Sequence, residues 1–165
     1  MDFSVIMPCL NEAETLASCI RKAQKSLNNL AIQGELLVAD NGSTDGSQRL
    51  ARSLGAKVVD IPQRGYGAAL MGGIAAARGE WILMADADDS YDFGEIPKFA
   101  DKMAEGFDLV QGCRLPSGGG RVAPGAMPWS HRWIGNPLFS FLVRRWFGAP
   151  IHDVYCGMRA FRRDF

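Results

Sequence analysis

Three carboxylates stand almost together at Asp86-Ala87-Asp88-Asp89, directly after the apolar run WILMA. Carboxylates at i and i+2 leave a strand on the same side, and like charges that close are costly unless a cation lies between them. A hard divalent ion is the natural occupant. Magnesium or manganese held by one or two carboxylates completes its shell with substrate phosphates and water, so Asp86 and Asp88 as metal ligands imply a diphosphate ligand. The competing reading is an Asp-rich turn that caps the next helix. A calcium EF-hand does not fit: with Asp86 at position one, Tyr91 falls where that loop needs Gly and Pro97 where it needs Glu.

Three further clusters could serve the same ligand. In Pro8-Cys9-Leu10-Asn11-Glu12 a Pro-containing turn leaves backbone groups and the Glu12 carboxylate facing a nucleobase edge or a ribose hydroxyl; Asn11 also suits an ordinary helix N-cap. Asp40 ends the run ELLVAD, and Asn41-Gly42 supplies a tight turn. That carboxylate could hold a uracil or guanine edge. Arg64-Gly65-Tyr66-Gly67-Ala68-Ala69 opens a helix with small residues, so its amides can approach a nucleotide. It lacks the Gly-Lys-Ser/Thr of a Walker A loop, and it does not follow the first strand as a dinucleotide fingerprint does.

The elements that must position these clusters are legible as alternation. Apolar runs at 3–8, 35–40, 57–61, 80–86 and 108–113 read as short buried strands. Helical spacing fills the intervals: 12–28, with Leu16, Cys19, Ile20, Ala23 and Leu27 on one face, then 45–54, 67–78 and 95–105. Strand following helix in that order implies an α/β fold with right-handed crossovers, a mostly parallel sheet and helices on both faces. Ligands of such sheets bind at the carboxyl ends of the strands, where all four clusters fall. Beyond residue 113 the chain turns to Gly, Pro, Arg and Trp, which reads as a mobile loop followed by an amphipathic helix over about 138–147.

A length of 165 residues suits one domain, and 47% hydrophobic with 22% charged residues excludes a disordered tail, a collagen and a coiled coil. Net charge is zero, giving no argument for nucleic acid, but its distribution is uneven. Residues 1–113 carry 10 Lys+Arg against 16 Asp+Glu, and residues 114–165 carry 8 against 2, all eight being Arg. Arginine favours phosphate recognition. Cys9, Cys19, Cys113 and Cys156 have no zinc spacing and read as reduced thiols in a cytosolic setting. No signal peptide and no membrane-spanning apolar run is expected.

Taken in order, PCLNE, VADNGSTDGS, RGYGAAL and DADD, then QGCR and Asp153-Val154-Tyr155-Cys156-Gly157-Met158-Arg159, resemble family 2 glycosyltransferases of the Rossmann-like GT-A fold. The likeness covers nearly the whole chain. The last two motifs are similar to the branch that acts on polyprenyl phosphates, the dolichyl-phosphate mannose and glucose synthases and bacterial undecaprenyl relatives. The resemblance implies an inverting transfer of a sugar from a nucleotide-diphosphate donor to a polyprenyl phosphate, with Mg²⁺ or Mn²⁺. It places Pro8, Leu10, Asn11, Glu12, Asp40, Gly65, Tyr66, Gly67 and Ala87 at the nucleotide sugar. Asp86 and Asp88 would hold the diphosphate and its metal, and Arg114, Arg132 and Arg159 phosphate groups. Residues 1–113 would be the donor part and 114–165 the acceptor part. Many relatives carry Lys in place of Tyr66, and mannose synthases often carry Gln in place of Ser90. Relatives usually continue well beyond a point matching Phe165, so a longer protein, anchored at the cytoplasmic face of a membrane, is expected.

A polyprenyl phosphate is already an anionic nucleophile, so its glycosylation needs positioning and leaving-group stabilisation more than a general base. A sugar-hydroxyl acceptor, as in cell-envelope polysaccharide synthesis, would need a carboxylate base, and Asp89 and Asp153 are the candidates. The Gln-x-x-Arg-Trp motif of processive synthases is not matched, since Leu142 stands at the Gln position before Arg145-Trp146. A nucleotide-sugar pyrophosphorylase would want a Gly-rich loop where PCLNE stands. A non-catalytic nucleotide-sugar-binding module is the remaining alternative. Trp129 and Trp133 beside His131 and Arg132 suit a membrane interface, although aromatic residues near prolines also serve as packing plugs.

Overall fold

The computed structural model describes residues 2–30, 33–120 and 128–164. The mobile loop expected after residue 113 falls partly outside them. The chain divides into two compact units, Met1–Val110 with Ala160–Phe165, and Gln111–Arg159.

The first unit is built on strands β1 (Phe3–Cys9), β2 (Gly34–Asp40), β3 (Lys57–Asp60) and β4 (Trp81–Met84), with β5 (Leu109–Gln111) and β6 (Arg159–Arg162) completing a six-stranded sheet in the order β3-β2-β1-β4-β6-β5. The pairs β1/β2, β1/β4 and β2/β3 are parallel. β6 runs against β5, because Gly112 N–H bonds Met158 O while Arg162 N–H bonds Asp108 O, so partner numbers fall as position rises. The fold is the mostly parallel α/β sheet expected. The antiparallel β6 is additional, since RAFR is too short and too basic to stand out as an apolar run.

All seven residues of β1 are buried, as a central parallel strand covered on both faces requires. Helix α1 (Leu16–Asn29) presents its apolar stripe Leu16, Cys19, Ile20, Ala23 and Leu27 to the interior. Helix α2 (Ser47–Ser53) buries Ala51, and α4 (Ile96–Ala104) buries Ile96, Phe99, Ala100 and Met103. Helix α3 (Tyr66–Ala76) lies close on the sheet because it carries small residues: a Cβ on Gly73 would come 2.6 Å from Ile6 Cγ2.

Register fixes the site. Cys9 pairs with Asp40, Asp40 with Asp60, and Ile6 with Met84, so β1, β2 and β4 end along one edge. At the opposite edge, Ser4 Oγ donates to Glu35 Oε1 at 2.7 Å and accepts Gly79 N–H at 2.8 Å, tying the starts of β1 and β2 to the segment entering β4.

Gly79 leaves no room for a side chain there, because a Cβ would meet Ser4 N at 2.6 Å and the Asp2 carbonyl oxygen at 2.8 Å, both backbone atoms that cannot swing aside. Gly79→Ala is therefore expected to lower unfolding stability by about 2 kcal/mol, read from denaturant titration. A change under a few tenths would show that this edge is plastic.

Candidate functional site

At the carboxyl edge of the first unit lies a cleft of about 480 Å³. It is lined by Pro8, Leu10 and Glu12 from the exit of β1, by Gly65 and Tyr66 at the start of α3, and by Asp86, Ala87 and Asp88 beyond the end of β4. All eight are residues singled out in the sequence. Cys9, Asn41, Arg64 and Ala69 complete the lining, whereas Asn11, Asp40 and Gly67 are not on it.

The acidic cluster is divided between two surroundings. Asp86 Oδ1 accepts the Tyr66 hydroxyl at 2.8 Å, and Asp88 Oδ1 accepts Ser90 N–H at 2.9 Å, so both stay on the cleft wall. Asp89 turns away. Its backbone is left-handed (φ 61°), which aims the carboxylate at α1, where Oδ1 meets Lys22 Nζ at 2.8 Å. That hydrogen bond raises the Lys22 ammonium above its usual value. Asp89, a candidate base for a hydroxyl acceptor, thus stands paired with Lys22 and is not among the residues lining the cleft.

Two carboxylates on one wall fit a hard divalent ion that keeps open positions. Among the described residues no group of three or more His, Cys, Asp or Glu gathers to form a closed cage, and an open pair of oxygen ligands is the usual arrangement where phosphates and water supply the rest.

Asp40 is 1% exposed and almost wholly occupied at Oδ2, which accepts Gly42 N–H (3.0 Å), Ser43 N–H (3.1 Å) and Gln48 Nε2 (2.6 Å). Burial pushes its pKa up, but these hydrogen bonds outweigh it and hold the carboxyl below the usual range. Oδ1 is buried without a partner. Buried polar atoms are rarely left so.

The walls are held by side chains that read as turn residues in the sequence. Asn41 Nδ2 donates to the carbonyls of Ile61 and Gln63, and Oδ1 accepts Gly65 N–H at 2.7 Å, so the end of β2 fixes the loop before α3. Asn11, with φ 60°, does not cap α1; its Oδ1 accepts Thr44 N–H and its own N–H donates to Ser43 Oγ. Thr15 Oγ1 donates to the Ala87 carbonyl at 2.7 Å and joins α1 to the exit of β4.

The second unit contains helix α5 (Asn136–Phe147), preceded by one π-helical turn over His131–Gly135. Its centre is Asp153, 0% exposed. Arg114 Nε and Nη2 make a two-pronged pair with its carboxylate at 2.9 and 3.1 Å, Arg114 N–H adds a third bond, and Asn136 Nδ2 a fourth. Burial raises the Asp153 pKa, and the bonds from Arg114 and Asn136 more than offset it, leaving a net lowering. Asp153, a candidate base for a hydroxyl acceptor, is thus enclosed by the bonds from Arg114 and Asn136.

Arg159 spends Nε on the Cys156 carbonyl and Nη2 on that of Val154, bracing the turn after Asp153. Arg132 stacks its guanidinium 5.3 Å from the Trp133 ring centre, and its Nε is buried without a partner. Arg114 also borders a cleft of about 400 Å³ with His131, Phe139 and Tyr155; Arg132 and Arg159 do not line it.

Residues 4–165 match the family model described as Glycosyl transferase family 2. The low-salt glycan biosynthesis hexosyltransferase Agl6 of Haloferax volcanii is 40% identical over 162 residues, 98% of this chain and 38% of the relative. The dolichyl-phosphate hexose transferase of the same organism is 32% identical over 163 residues, 99% of this chain and 67% of its own length. Among solved structures, glucosyl-3-phosphoglycerate synthase of Mycobacterium tuberculosis in complex with Mn²⁺, uridine diphosphate and phosphoglyceric acid superposes with a TM-score of 0.71 at 27% identity, covering 99% of this chain and 56% of that one. The chain therefore spans between 38% and 67% of the length of these proteins.

Removing one partner of the Asp153–Arg114 pair strands the other charge, so Asp153→Asn should cost roughly 3 kcal/mol at neutral pH. Because the folded-state pKa of Asp153 is depressed, its stabilisation is complete above the unfolded carboxylate value near 3.9 and is lost as pH falls through the lower folded-state value. Denaturant titrations across pH should show the gap between wild type and variant closing below about pH 4; a gap constant with pH would deny Asp153 its charge.

Proposed function

Because this chain belongs to glycosyl transferase family 2, we propose that it forms the catalytic part of an inverting hexosyltransferase that passes a sugar from a nucleoside diphosphate to a polyprenyl phosphate. The observation that carries the reading is that Asp86 and Asp88 line one cleft together with Pro8, Leu10 and Glu12. The curated relative named for dolichyl phosphate and the solved neighbour holding Mn²⁺ and uridine diphosphate support it.

Asp86 and Asp88 would hold Mg²⁺ or Mn²⁺. When bound, the ion would neutralise charge on the departing diphosphate. The Tyr66 hydroxyl orients the Asp86 carboxylate, and Ser90 N–H that of Asp88. The Asp40 carboxylate, through its bonds from Gly42 and Ser43 N–H, would set the turn after Asn41 that borders the nucleoside. Glu12, half-buried on the cleft wall, would face the same nucleoside.

A phosphate nucleophile arrives already ionised. No base is needed to create it, and the enclosure of Asp153 and the turning away of Asp89 favour such an acceptor over a hydroxyl. Arg114 borders the cleft of the second unit with its guanidinium fixed by Asp153, so it would offer directed hydrogen bonds more than net charge. The net charge comes from the surroundings: residues 109–152 contain five Arg and no Asp or Glu. In-line attack of the phosphate at the anomeric carbon would invert it.

Calorimetric titration of UDP-, GDP- and TDP-hexoses with and without MnCl₂ tests the donor half. A metal-dependent increase in affinity is expected, and Asp88→Ala should remove roughly tenfold or more of it with an unchanged melting temperature. Equal binding by wild type and Asp88→Ala would refute the metal assignment. For the acceptor half, transfer to undecaprenyl phosphate should fall in Arg132→Ala while donor affinity holds, and joint loss of both would make Arg132 a structural residue.

A further inference from the structure

One ridge of α1 grips the segment that carries the two cleft carboxylates. Thr15 at the N-cap, then Cys19 and Lys22, follow at spacings of four and three, so they stand one above the next on the same side of the helix. Thr15 Oγ1 donates to the Ala87 carbonyl at 2.7 Å, and Cys19 Sγ donates to the same carbonyl at 3.5 Å and lies 3.9 Å from Asp89 Oδ1. Lys22 Nζ donates to Asp89 Oδ1 at 2.8 Å. The ridge therefore holds residues 87 and 89, while Asp86 and Asp88 line the cleft. Lys22 makes the ionic contact of the three, and neither it nor Asp89 lines the cleft. The two side chains of that pair are 41% and 38% exposed, so the restraint it imposes is modest and reversible.

Asp89 has the chemistry of Asp88 and follows it directly, yet it is held on the other side of the loop in a left-handed backbone (φ 61°) that aspartate adopts only at a cost. We propose that Lys22 is a positioning residue that keeps Asp89 off the divalent ion, so that the site offers two carboxylates and takes the metal firmly only together with a diphosphate. The inference rests on the reading of Asp86 and Asp88 as metal ligands. Affinity for a hard divalent ion is tuned by the number of charged ligands. A third carboxylate would strengthen metal binding in the nucleotide-free chain and fill a position that a phosphate oxygen would otherwise take. By linkage, whatever Asp89 adds to metal affinity without nucleotide is subtracted from the coupling between metal and nucleotide. Lys22 thus sets how far the metal waits for the donor.

The test is calorimetric titration of Mn²⁺ into the 165-residue chain, with and without saturating UDP. Wild type is expected to bind Mn²⁺ more tightly with UDP than without. Lys22→Met should raise the affinity of the nucleotide-free chain for Mn²⁺ by about fivefold, the most that an exposed ion pair withholds, and should shrink the gain from UDP by the same factor. Lys22→Arg keeps the pair and should keep wild-type values. Removing a positive charge also favours a cation directly, and the Asp89→Asn background separates the two causes. In that background Lys22→Met should alter Mn²⁺ affinity by less than about twofold, whereas a long-range charge effect would give the same gain in both backgrounds. An unchanged or lowered Mn²⁺ affinity in Lys22→Met overturns the proposal, as does an equal gain with Asn at position 89. So does a fall in melting temperature that leaves the ratio of Mn²⁺ affinities with and without UDP in place, which would make the pair a structural one. Asp88→Ala keeps the two readings apart. If that variant binds Mn²⁺ as wild type does, the metal assignment falls and this inference with it; if Asp88→Ala loses Mn²⁺ while Lys22→Met matches wild type, only the role of Lys22 falls.

Discussion

Like charges repel most strongly where water is scarce, and the exit of β4 crowds three carboxylates into four residues. At an effective dielectric of 20, two unit charges about 4 Å apart cost roughly 4 kcal/mol, more than an exposed ion pair returns. The chain relieves this by separation. A left-handed residue at Asp89 sends one carboxylate to Lys22 on α1, while the Tyr66 hydroxyl and Ser90 N–H each hold one of the other two. What remains on the cleft wall is a pair, which suits one divalent ion and a diphosphate; a trio would favour closure around the ion.

That sorting requires fixed loops, and these are fixed side chain to backbone across strand ends. Asn41 reaches from β2 to the loop before α3, Asp45 accepts Ala13 N–H, and Thr15 reaches the Ala87 carbonyl. Asn11 and Asp89 are the described non-glycine residues with positive φ, and they sit in the loops after β1 and β4. Left-handed backbone is disfavoured by about 1 kcal/mol or more for such residues. The structure holds both by bonds to other elements, as expected where a loop must aim a group rather than merely connect.

The strands and the first four helices were legible because burial imposes periodicity on consecutive residues, and the strand ends then located Pro8, Glu12, Asp86 and Asp88. What was not legible depended on contacts between residues far apart in the chain. Asn41 next to Gly42 reads as a turn until Ile61, Gln63 and Gly65 are seen to absorb its bonds. Asp153 reads as a carboxylate within a motif until Arg114, 39 positions away, closes on it. Asp89 is chemically indistinguishable from Asp88, and only backbone handedness separates them. β6 escaped notice because Arg159–Arg162 is a strand by virtue of its neighbours, with Ala160 its one fully buried residue.

In the second unit Leu115, Cys156 and Met158 are buried as usual, but the buried residues of α5 are the polar Asn136 and Ser140, and the cause lies in Asp153. A buried carboxylate is tolerable only when ringed by donors. Arg114 supplies three bonds and Asn136 another. Asn136 can serve only if the α5 face that carries it turns inward, and Ser140, one turn on, follows it to meet Val154 N–H. Once that face is committed to the polar centre, helical geometry turns Leu138 outward, where it is 50% exposed. The exposed apolar face and the buried ion pair are thus two consequences of one choice. A sequence that kept Asp153 but made α5 amphipathic in the ordinary sense would have to leave the carboxylate short of donors.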